Sequence, residues 1–582
     1  MTQTESRVLS PLSAAFQSCR RHVVFAAVFS ALLNLLYLAP TIYMLQVYDR
    51  VVPTRGHLTL FFLTIVLLLA LLALSLLDLA RSRILVRAGV RLERRLAGAV
   101  LDAGFARSGA GRDVLVSRSL REFDVMRQAL TGPGMLALFD APWTPIYIVV
   151  CFIIHPILGG LALVGASTLF GLTWWNEVAT RAPLKRANEA ASVSYLSQQY
   201  STAGAEVIRA LGMRRSMVQR HLAERQTAAS LQLKASFTAS GLTAVSRFMR
   251  LAFQSLALGV GAYLAIEQKV SAGAIFAASL LVGRALSPME QLLNAWRGLG
   301  QARDAYRSLK DLLPAESAVV PATELPAPTG ALRVENLVVV GPAGKPILND
   351  LSFAIAAGET IGVIGPSGAG KSTLARVIAG AARPDRGVVR LDGGDVTLWD
   401  PERLARHIGY MPQETTLFAG TVKQNIARFD EAAGDGDNSS AVDAGAIEAA
   451  QRSGAHSVIM RFANGYDTLL SWGGRGLAAG HAQRIAFARA LYGTPRLIVL
   501  DEPNSHLDAE GDATLMEAIA TLKRGGATIL IVAHRTGVLA DVDKLMVLRD
   551  GRIDLFGPRD EVVKRLTAPP GRDVARQTLA GE

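Results

Sequence analysis

Long apolar runs alternate with polar, arginine-rich stretches over the first half of the chain, and the alternation stops near residue 300. Six runs reach the length that a helix needs to cross a hydrocarbon layer, about 20 residues. They are His22–Tyr43, His57–Leu77, Met135–Ile154, Ile157–Trp175 and, less sharply bounded, one within Leu242–Ile266 and one within Ala272–Leu293. The connections after the first, third and fifth runs are short, and those after the second and fourth are long. The long ones keep a helical period, so they read as extensions of the spans beyond the membrane. They also carry the positive charge: Arg81, Arg83, Arg87, Arg91, Arg94 and Arg95 in one, Arg181, Lys185, Arg186, Arg209, Arg214 and Arg215 in the other. Positive-inside logic puts both long connections, and both termini, in the cytoplasm. Trp174-Trp175 read as an interfacial aromatic belt. Residues 1–20 read as a polar tail. The first run, after Arg20-Arg21, is too long for a signal-peptide core and ends without a small-residue cleavage site.

From residue 313 the pattern changes. Pro314, Pro321, Pro326 and Pro328 mark a linker over 313–329. Beyond it, short runs with the character of buried strands alternate with helical segments: Glu359–Ile364, Arg496–Leu500 and Thr528–Ala533. The stretch Gly365-Pro366-Ser367-Gly368-Ala369-Gly370-Lys371-Ser372-Thr373 fits G-x-x-x-x-G-K-[ST] between a strand and a helix. Glycines there let backbone N–H groups converge on phosphate oxygens at a helix N-terminus. Lys371 would reach the β- and γ-phosphates, and the Ser372 hydroxyl would ligate Mg²⁺. A second strand delivers Asp501 and Glu502 in succession. The first suits a Mg²⁺ bound through water, the second a water that must be oriented and deprotonated. A third strand ends at His534, at the sheet edge where such folds bind ligands.

Composition narrows the partners. Half of the residues are hydrophobic and the formal charge is +12. The mean hydropathy of +0.28 is high for a soluble protein. Membrane topology accounts for the basic balance, and there is no basic face with a nucleic-acid reader motif. Two distant cysteines, Cys19 and Cys151, exclude a disulfide framework or a zinc site. Asp430–Asn438 reads as a surface loop. Its Asn438-Ser439-Ser440 triplet faces the cytoplasm, so it is not a glycosylation site. Asn34, Asp140, Arg284 and Glu290 lie in or near the apolar runs. Asp140 and Glu290 read as hydrated groups near cytoplasmic ends. Arg284 lies about 18 Å into its span at ~1.5 Å per residue, which points to a wet cavity.

The set Lys371, Gln413, Asp501-Glu502, Ser505-His-Leu-Asp508 and His534 resembles an ATP-binding cassette. Six spans with two long cytoplasmic loops ahead of it resemble a half-transporter of the exporter type. Tyr43-Met-Leu-Gln-Val-Tyr-Asp-Arg-Val51, Leu138-Phe-Asp-Ala-Pro-Trp143, Gly283-Arg-Ala-Leu-Ser-Pro-Met-Glu-Gln291 and Asp501-Glu-Pro-Asn-Ser505 look like the type I secretion permease/ATPases. The implied fold is an all-α six-helix transmembrane domain (21–312) and an α/β P-loop ATPase domain (330–566), with a tail over 567–582. The implied activity is ATP hydrolysis coupled to polypeptide export from the bacterial inner membrane. ATP is held by Gly365 to Thr373 and Gln413, and Mg²⁺ by Ser372, Gln413 and Asp501. Glu502 and His534 are catalytic. A signature at Leu477-Ala478-Ala479-Gly480-His481 acts in trans, and Asp508 lies in the D-loop. The implied partners are a second half-transporter, a periplasmic adaptor, an outer-membrane channel, a polypeptide cargo and membrane lipid, with no nucleic acid.

The chain departs from that family in three places. The signature usually reads Leu-Ser-Gly-Gly-Gln, and its serine is Ala478 here. A Gly-Glu-Gly-Gly-like run upstream is Ser471-Trp472-Gly473-Gly474, and no adenine-stacking aromatic stands near Val340 or Gly341. The altered signature leaves open whether the chain pairs with itself or with a partner carrying an unmodified one. Two other readings share these motifs: a regulatory half with little or no ATP turnover, and an exporter of lipid, peptide or drug.

Overall fold

The computed structural model describes residues 10–107, 115–313, 326–341, 344–430, 439–474, 476–533 and 537–567. The chain divides into two units, Met1–Ala318 and Val319–Glu582.

The first unit is helical: α1 (Pro11–Leu36), α2 (Ala39–Gln46), α3 (His57–Arg107), α4 (Leu115–Thr131), α5 (Pro133–Asp140), α6 (Thr144–Ile154), α7 (Pro156–Ala203), α8 (Ala205–Ala210), α9 (Arg214–Ile266) and α10 (Ala272–Leu312). Among the described residues, six helical segments are long and apolar enough to cross a membrane. Both arginine-rich connections are helix, continuous with the spans: α3 runs 51 residues without a break, α9 runs 53.

The first helix begins earlier than the sequence reading has it. Residues 11–20, read as tail, are its first turns. Pro11 occupies the first turn, where its missing N–H costs nothing, and the Ser10 hydroxyl accepts from the Ser13 N–H at 3.3 Å. Leu12, Ala15 and Cys19 share one face and pack on Leu92, Leu96 and Val100 of α3, Phe123 and Met126 of α4, and Leu309 and Leu312 of α10. That stripe is built largely of small residues inside polar text, so it carries little hydropathy.

The second difference lies inside the bundle. Asp140, read as a hydrated group, forms an ion pair with Arg81 at 2.9 Å. Arg81, read as one of the loop charges, is 4% exposed. Its guanidinium also donates to the Ser30 hydroxyl at 2.8 Å and to Asp78 at 2.7 Å. The Asn34 amide donates to Asp140 at 3.0 Å, and the Tyr147 hydroxyl donates to Asn34 Oδ1 at 3.0 Å. One polar network thereby joins α1, α3, α5 and α6, and a buried charge of this kind is tolerated because each member is paired. Glu290 is also paired, with Arg250 of α9.

At the opposite end, a π-helical turn over Val47–Val51 follows α2. It aims Asp49 at the start of α10, where it accepts from the Gly273 N–H at 2.7 Å and from the Ser271 hydroxyl at 2.5 Å. A side chain at Gly273 would meet the Leu45 carbonyl at 2.7 Å, so glycine is required for this approach.

The described residues of the second unit form twelve strands. They are β1 (Leu332–Val340), β2 (Pro346–Ile355), β3 (Thr360–Ile364), β4 (Arg386–Leu391), β5 (Gly394–Asp395), β6 (Ile408–Met411), β7 (Gly420–Thr421), β8 (Leu469–Leu470), β9 (Leu497–Asp501), β10 (Thr528–Val532), β11 (Lys544–Arg549) and β12 (Arg552–Pro558). The six-stranded sheet has the order β12-β11-β3-β10-β9-β6, and a four-stranded sheet the order β2-β1-β4-β5. In the large sheet β3, β6, β9, β10 and β11 pair in parallel and only β12 is antiparallel. Every residue of β9 and β10 is buried, which is why they read as unbroken apolar runs. Two helices place the site, α11 (Lys371–Ile378) after β3 and α13 (Ala479–Leu491) before β9; α12 (Ser439–Arg452) packs beside α13 and α14 (Ala509–Arg524) follows β9. Where the linker enters this unit, Asp392 accepts from the N–H groups of Thr329, Gly330 and Ala331 and from the Thr329 hydroxyl.

Candidate functional site

The parallel register fixes the site. Val532 of β10 stands opposite Val363 of β3 on one side and Asp501 of β9 on the other. The C-terminal ends of these neighbouring strands therefore carry the glycine-rich loop and the Asp501-Glu502 pair to one edge. Gly365 to Gly370 form the loop between β3 and α11. A side chain at Gly365 would lie 2.1 Å from the Leu548 carbonyl, and Gly370 takes φ +97 as it caps α11 against the Ile347 carbonyl. The loop can follow this path only with glycine at both points.

Lys371 opens α11 and is 6% exposed. Its ammonium donates to the Gly365 and Pro366 carbonyls, both at 2.9 Å, so it points back into the cradle of the loop. Burial pulls its pKa below the ordinary lysine value, opposed by the nearby Glu502 and Asp501 carboxylates. Ser372 follows, with its hydroxyl 3.5 Å from Gln413 Oε1. Thr373 is buried and takes a long hydrogen bond from Arg376 at 3.4 Å.

Asp501 is 2% exposed and its Oδ1 has no protein partner. Burial raises its pKa; the Ser372 hydroxyl, Lys371 and Arg376 pull it down, and Glu502 raises it further. A buried carboxylate oxygen with no donor, beside a hydroxyl and an amide oxygen, is a hard-oxygen set of the kind Mg²⁺ takes. Tyr410 of β6 sits in the same field. Burial, with Asp501 adding, pushes its phenol up to about 12.

Glu502 adopts φ +51, a left-handed conformation that costs a non-glycine residue about 1–2 kcal/mol. Hydrogen bonds on both sides of the peptide hold it, including one from the Ser505 N–H to its carbonyl at 3.2 Å. Its N–H donates to the Val532 carbonyl at 2.9 Å, and the Gln483 amide donates to its carbonyl at 3.2 Å. His534 lies outside the described residues.

The signature segment begins α13. Ala478 is the N-cap, with φ −63 and ψ 140, and both Ala478 and Ala479 are exposed. Alanine has no hydroxyl to accept from the first-turn N–H groups, so the helix starts uncapped by a side chain. Leu477 packs into the cluster around α12, and His481 makes an edge contact with Phe462 at 5.7 Å. A side chain at Gly480 would meet the His506 carbonyl at 2.9 Å. Gly473 and Gly474 take positive φ; nothing of the Trp472 side chain is described. Val340 is 42% exposed at the end of β1.

Asp508 caps α14, accepting from the Gly511 N–H at 2.8 Å, and pairs with Arg484 at 3.3 Å. Two residues escaped the sequence reading. Gln483, 1% exposed, also donates to Ser505 Oγ and accepts from the His506 N–H at 3.0 Å. It binds the signature helix to the segment carrying Glu502 and Asp508. Arg489, at the other end of α13, donates to the Thr416 carbonyl at 2.9 Å and lies over the Phe418 ring at 5.7 Å. It ties that helix to the segment following Gln413. An amide and a guanidinium on an otherwise apolar helix face were the available signals.

Residues 348–505 match the family model described as ABC transporter, and residues 23–288 match that of the ABC transporter transmembrane region. The Type I secretion system ATP-binding protein PrsD of Rhizobium meliloti (strain 1021) is 40% identical over 582 residues, covering 99% of this chain and 98% of that protein. The leukotoxin export ATP-binding protein LtxB of Aggregatibacter actinomycetemcomitans is 29% identical, covering 94% of this chain and 77% of that protein. Among solved structures, a bacterial Atm1-family ABC exporter with ATP bound superposes with a TM-score of 0.80 at 22% identity. The match covers 95% of this chain and 99% of that one, a likeness of fold.

Proposed function

The chain belongs to the ABC transporters, among the type I secretion ATP-binding proteins, and we propose that it couples ATP hydrolysis to the export of a polypeptide. The observation that carries this reading is the end-to-end match to a type I secretion ATP-binding protein, joined to a cradle that presents Lys371, Ser372, Asp501 and Glu502 at one sheet edge. The chain is an integral membrane protein with a nucleotide-binding cassette. Its place is the bacterial inner membrane, with the cassette in the cytoplasm, a reading supported by the arginine-rich extensions of the spans.

In the cassette the backbone N–H groups of Gly365 to Gly370 surround the phosphates, and Lys371 turns from its two carbonyls to the β- and γ-oxygens. Ser372, Gln413 and Asp501 would hold Mg²⁺, which supplies charge neutralisation between those oxygens. Glu502 orients the attacking water and takes its proton. His534 contacts the γ-phosphate. Leu477 to His481 and Asp508 face the nucleotide of a second half-transporter. Closure on ATP and release after hydrolysis move the helical extensions of the membrane unit. A periplasmic adaptor and an outer-membrane channel complete the route for the cargo. The relatives' names support polypeptide export over lipid or drug export, and over a regulatory half that does not turn over ATP.

The experiment pairs two readouts on the full chain. In lipid nanodiscs it hydrolyses ATP, and Lys371→Ala abolishes nucleotide binding and turnover together. In cells supplying an adaptor and a channel, appearance of a reporter polypeptide in the medium follows the same dependence. Secretion that persists with Lys371→Ala would sink the proposal.

The uncapped signature helix carries a prediction of its own. Serine at position 478 would accept from the first-turn N–H groups, worth about 1 kcal/mol, and would present a hydroxyl beside the nucleotide. Ala478→Ser is expected to raise ATP turnover about tenfold or more, since a hydrogen bond to a charged group contributes roughly 1.5–3 kcal/mol and each 1.4 kcal/mol is about tenfold. Phosphate release by the two proteins at equal ATP checks this; equal rates would show that the hydroxyl has no role here.

A further inference from the structure

Arg284 differs from the paired arginines inside the membrane unit. Arg81 is matched by Asp78 and Asp140, Arg250 by Glu290, and Arg303 by Glu177. Among the described residues no carboxylate pairs with Arg284, and its side chain is exposed. Its guanidinium lies over the Tyr37 ring, 3.8 Å from the centroid. Arg284 is twelve residues into α10, which puts it about 18 Å from that helix's start at ~1.5 Å per residue. The hydrocarbon core is about 30 Å thick, so this is near its middle.

A second feature coincides with it. Tyr37 and Leu38 form the break between α1 and α2, ahead of Pro40. Both residues keep helical dihedrals, and their N–H groups donate to the Leu33 and Leu35 carbonyls at 2.9 and 3.0 Å, so the turn holds the Tyr37 ring in place against the guanidinium. An exposed guanidinium at this depth cannot face lipid. Stacked on the Tyr37 ring, it marks a wet wall beside that turn.

We propose that Arg284, oriented by Tyr37, binds carboxylate side chains of the polypeptide in transit. A planar guanidinium offers two parallel donors matching a carboxylate, and stacking on an aromatic face fixes its plane without using those donors. Lipid phosphates offer the same chemistry but lie at the membrane surface, not at this depth. The inference rests on the polypeptide-export reading above.

The test uses the full chain in phosphatidylcholine nanodiscs and three fluorescent peptides of equal length, carrying aspartate, asparagine or lysine at the same positions. Dissociation constants come from anisotropy, and ATP binding by every variant confirms that it is folded. The aspartate peptide is expected to bind at least about tenfold more tightly than the asparagine peptide, the scale of one charge-assisted hydrogen bond. Arg284→Gln removes that preference, Arg284→Lys keeps part of it, Tyr37→Phe retains it and Tyr37→Leu weakens it. Equal binding of the aspartate and asparagine peptides to the unaltered chain overturns the inference and leaves export standing. A preference that survives Arg284→Gln overturns it too. Dissociation of a dimer on Arg284→Gln would assign the guanidinium to a second copy and overturn it. Binding of no peptide, with binding of phosphatidylglycerol vesicles instead, overturns both readings.

Discussion

Replacing Glu502 with glutamine is expected to lower ATP turnover by about 10²–10⁴-fold, the range that a positioned general base contributes, while nucleotide binding stays intact. Glutamine keeps the shape and the hydrogen-bonding span of the side chain but cannot accept the proton from water. The backbone argues for a dedicated role. Glu502 is held at φ +51 by its own N–H to Val532 and by Gln483 on its carbonyl. Strained backbone that the surroundings hold in place clusters at functional sites. The adjoining Asp501 is buried and carries the orphan oxygen suited to a metal, which supports the proposed division of roles between the two carboxylates. Phosphate release and nucleotide binding on the same preparation decide the matter. A variant within tenfold of the parent rate would place the proton acceptor elsewhere.

Asp140→Ala is expected to destabilise the membrane unit by about 3–5 kcal/mol, the scale of a buried pair that loses one partner. The reason is what remains: a guanidinium 4% exposed whose other carboxylate, Asp78, is at the half-exposed edge of the bundle. Asn34 loses one of its two acceptors at the same time and keeps only the Ser30 carbonyl. Asp140→Asn keeps an oxygen for both donors and should cost less. The double change Arg81→Met with Asp140→Leu removes the charge pair as a unit and should recover most of the loss. Thermal unfolding of the solubilised chain, followed by tryptophan fluorescence, ranks the three. If Asp140→Ala melts with the parent, the pair contributes nothing.

That pair also shows where sequence reading stops. Arg81 and Asp140 each sit at the end of an apolar run, and such a charge looks alike whether it is wet or buried. Only the pairing of α3 with α5, 59 positions apart, separates the cases. Likewise Leu12, Ala15 and Cys19 form a stripe too small to register as a span, yet they bring the first helix onto α3, α4 and α10. What was legible rested on local patterns. The apolar runs mark the spans because lipid imposes a length. The helical period of the long connections anticipates the unbroken α3 and α9. The glycine-rich loop and Asp501-Glu502 could be read because strand, loop and helix are contiguous in sequence. Gln483 and Arg489 could not, since their partners are carbonyls and backbone N–H groups supplied by other segments.

The length of α3 has a mechanical meaning. Its 51 residues make a rod of about 76 Å at ~1.5 Å per residue. Some 45 Å remain beyond an apolar layer of about 30 Å. Unlike α7, with Pro183, and α10, with Pro288, it has no internal proline to absorb a bend. A rod of that stiffness is a lever. A tilt of roughly 5° at the membrane boundary displaces its far end by about 4 Å, more than the ~3 Å span of a hydrogen bond. Rotations too slight to disturb the packing of the spans are therefore magnified into displacements that make or break contacts at the tip.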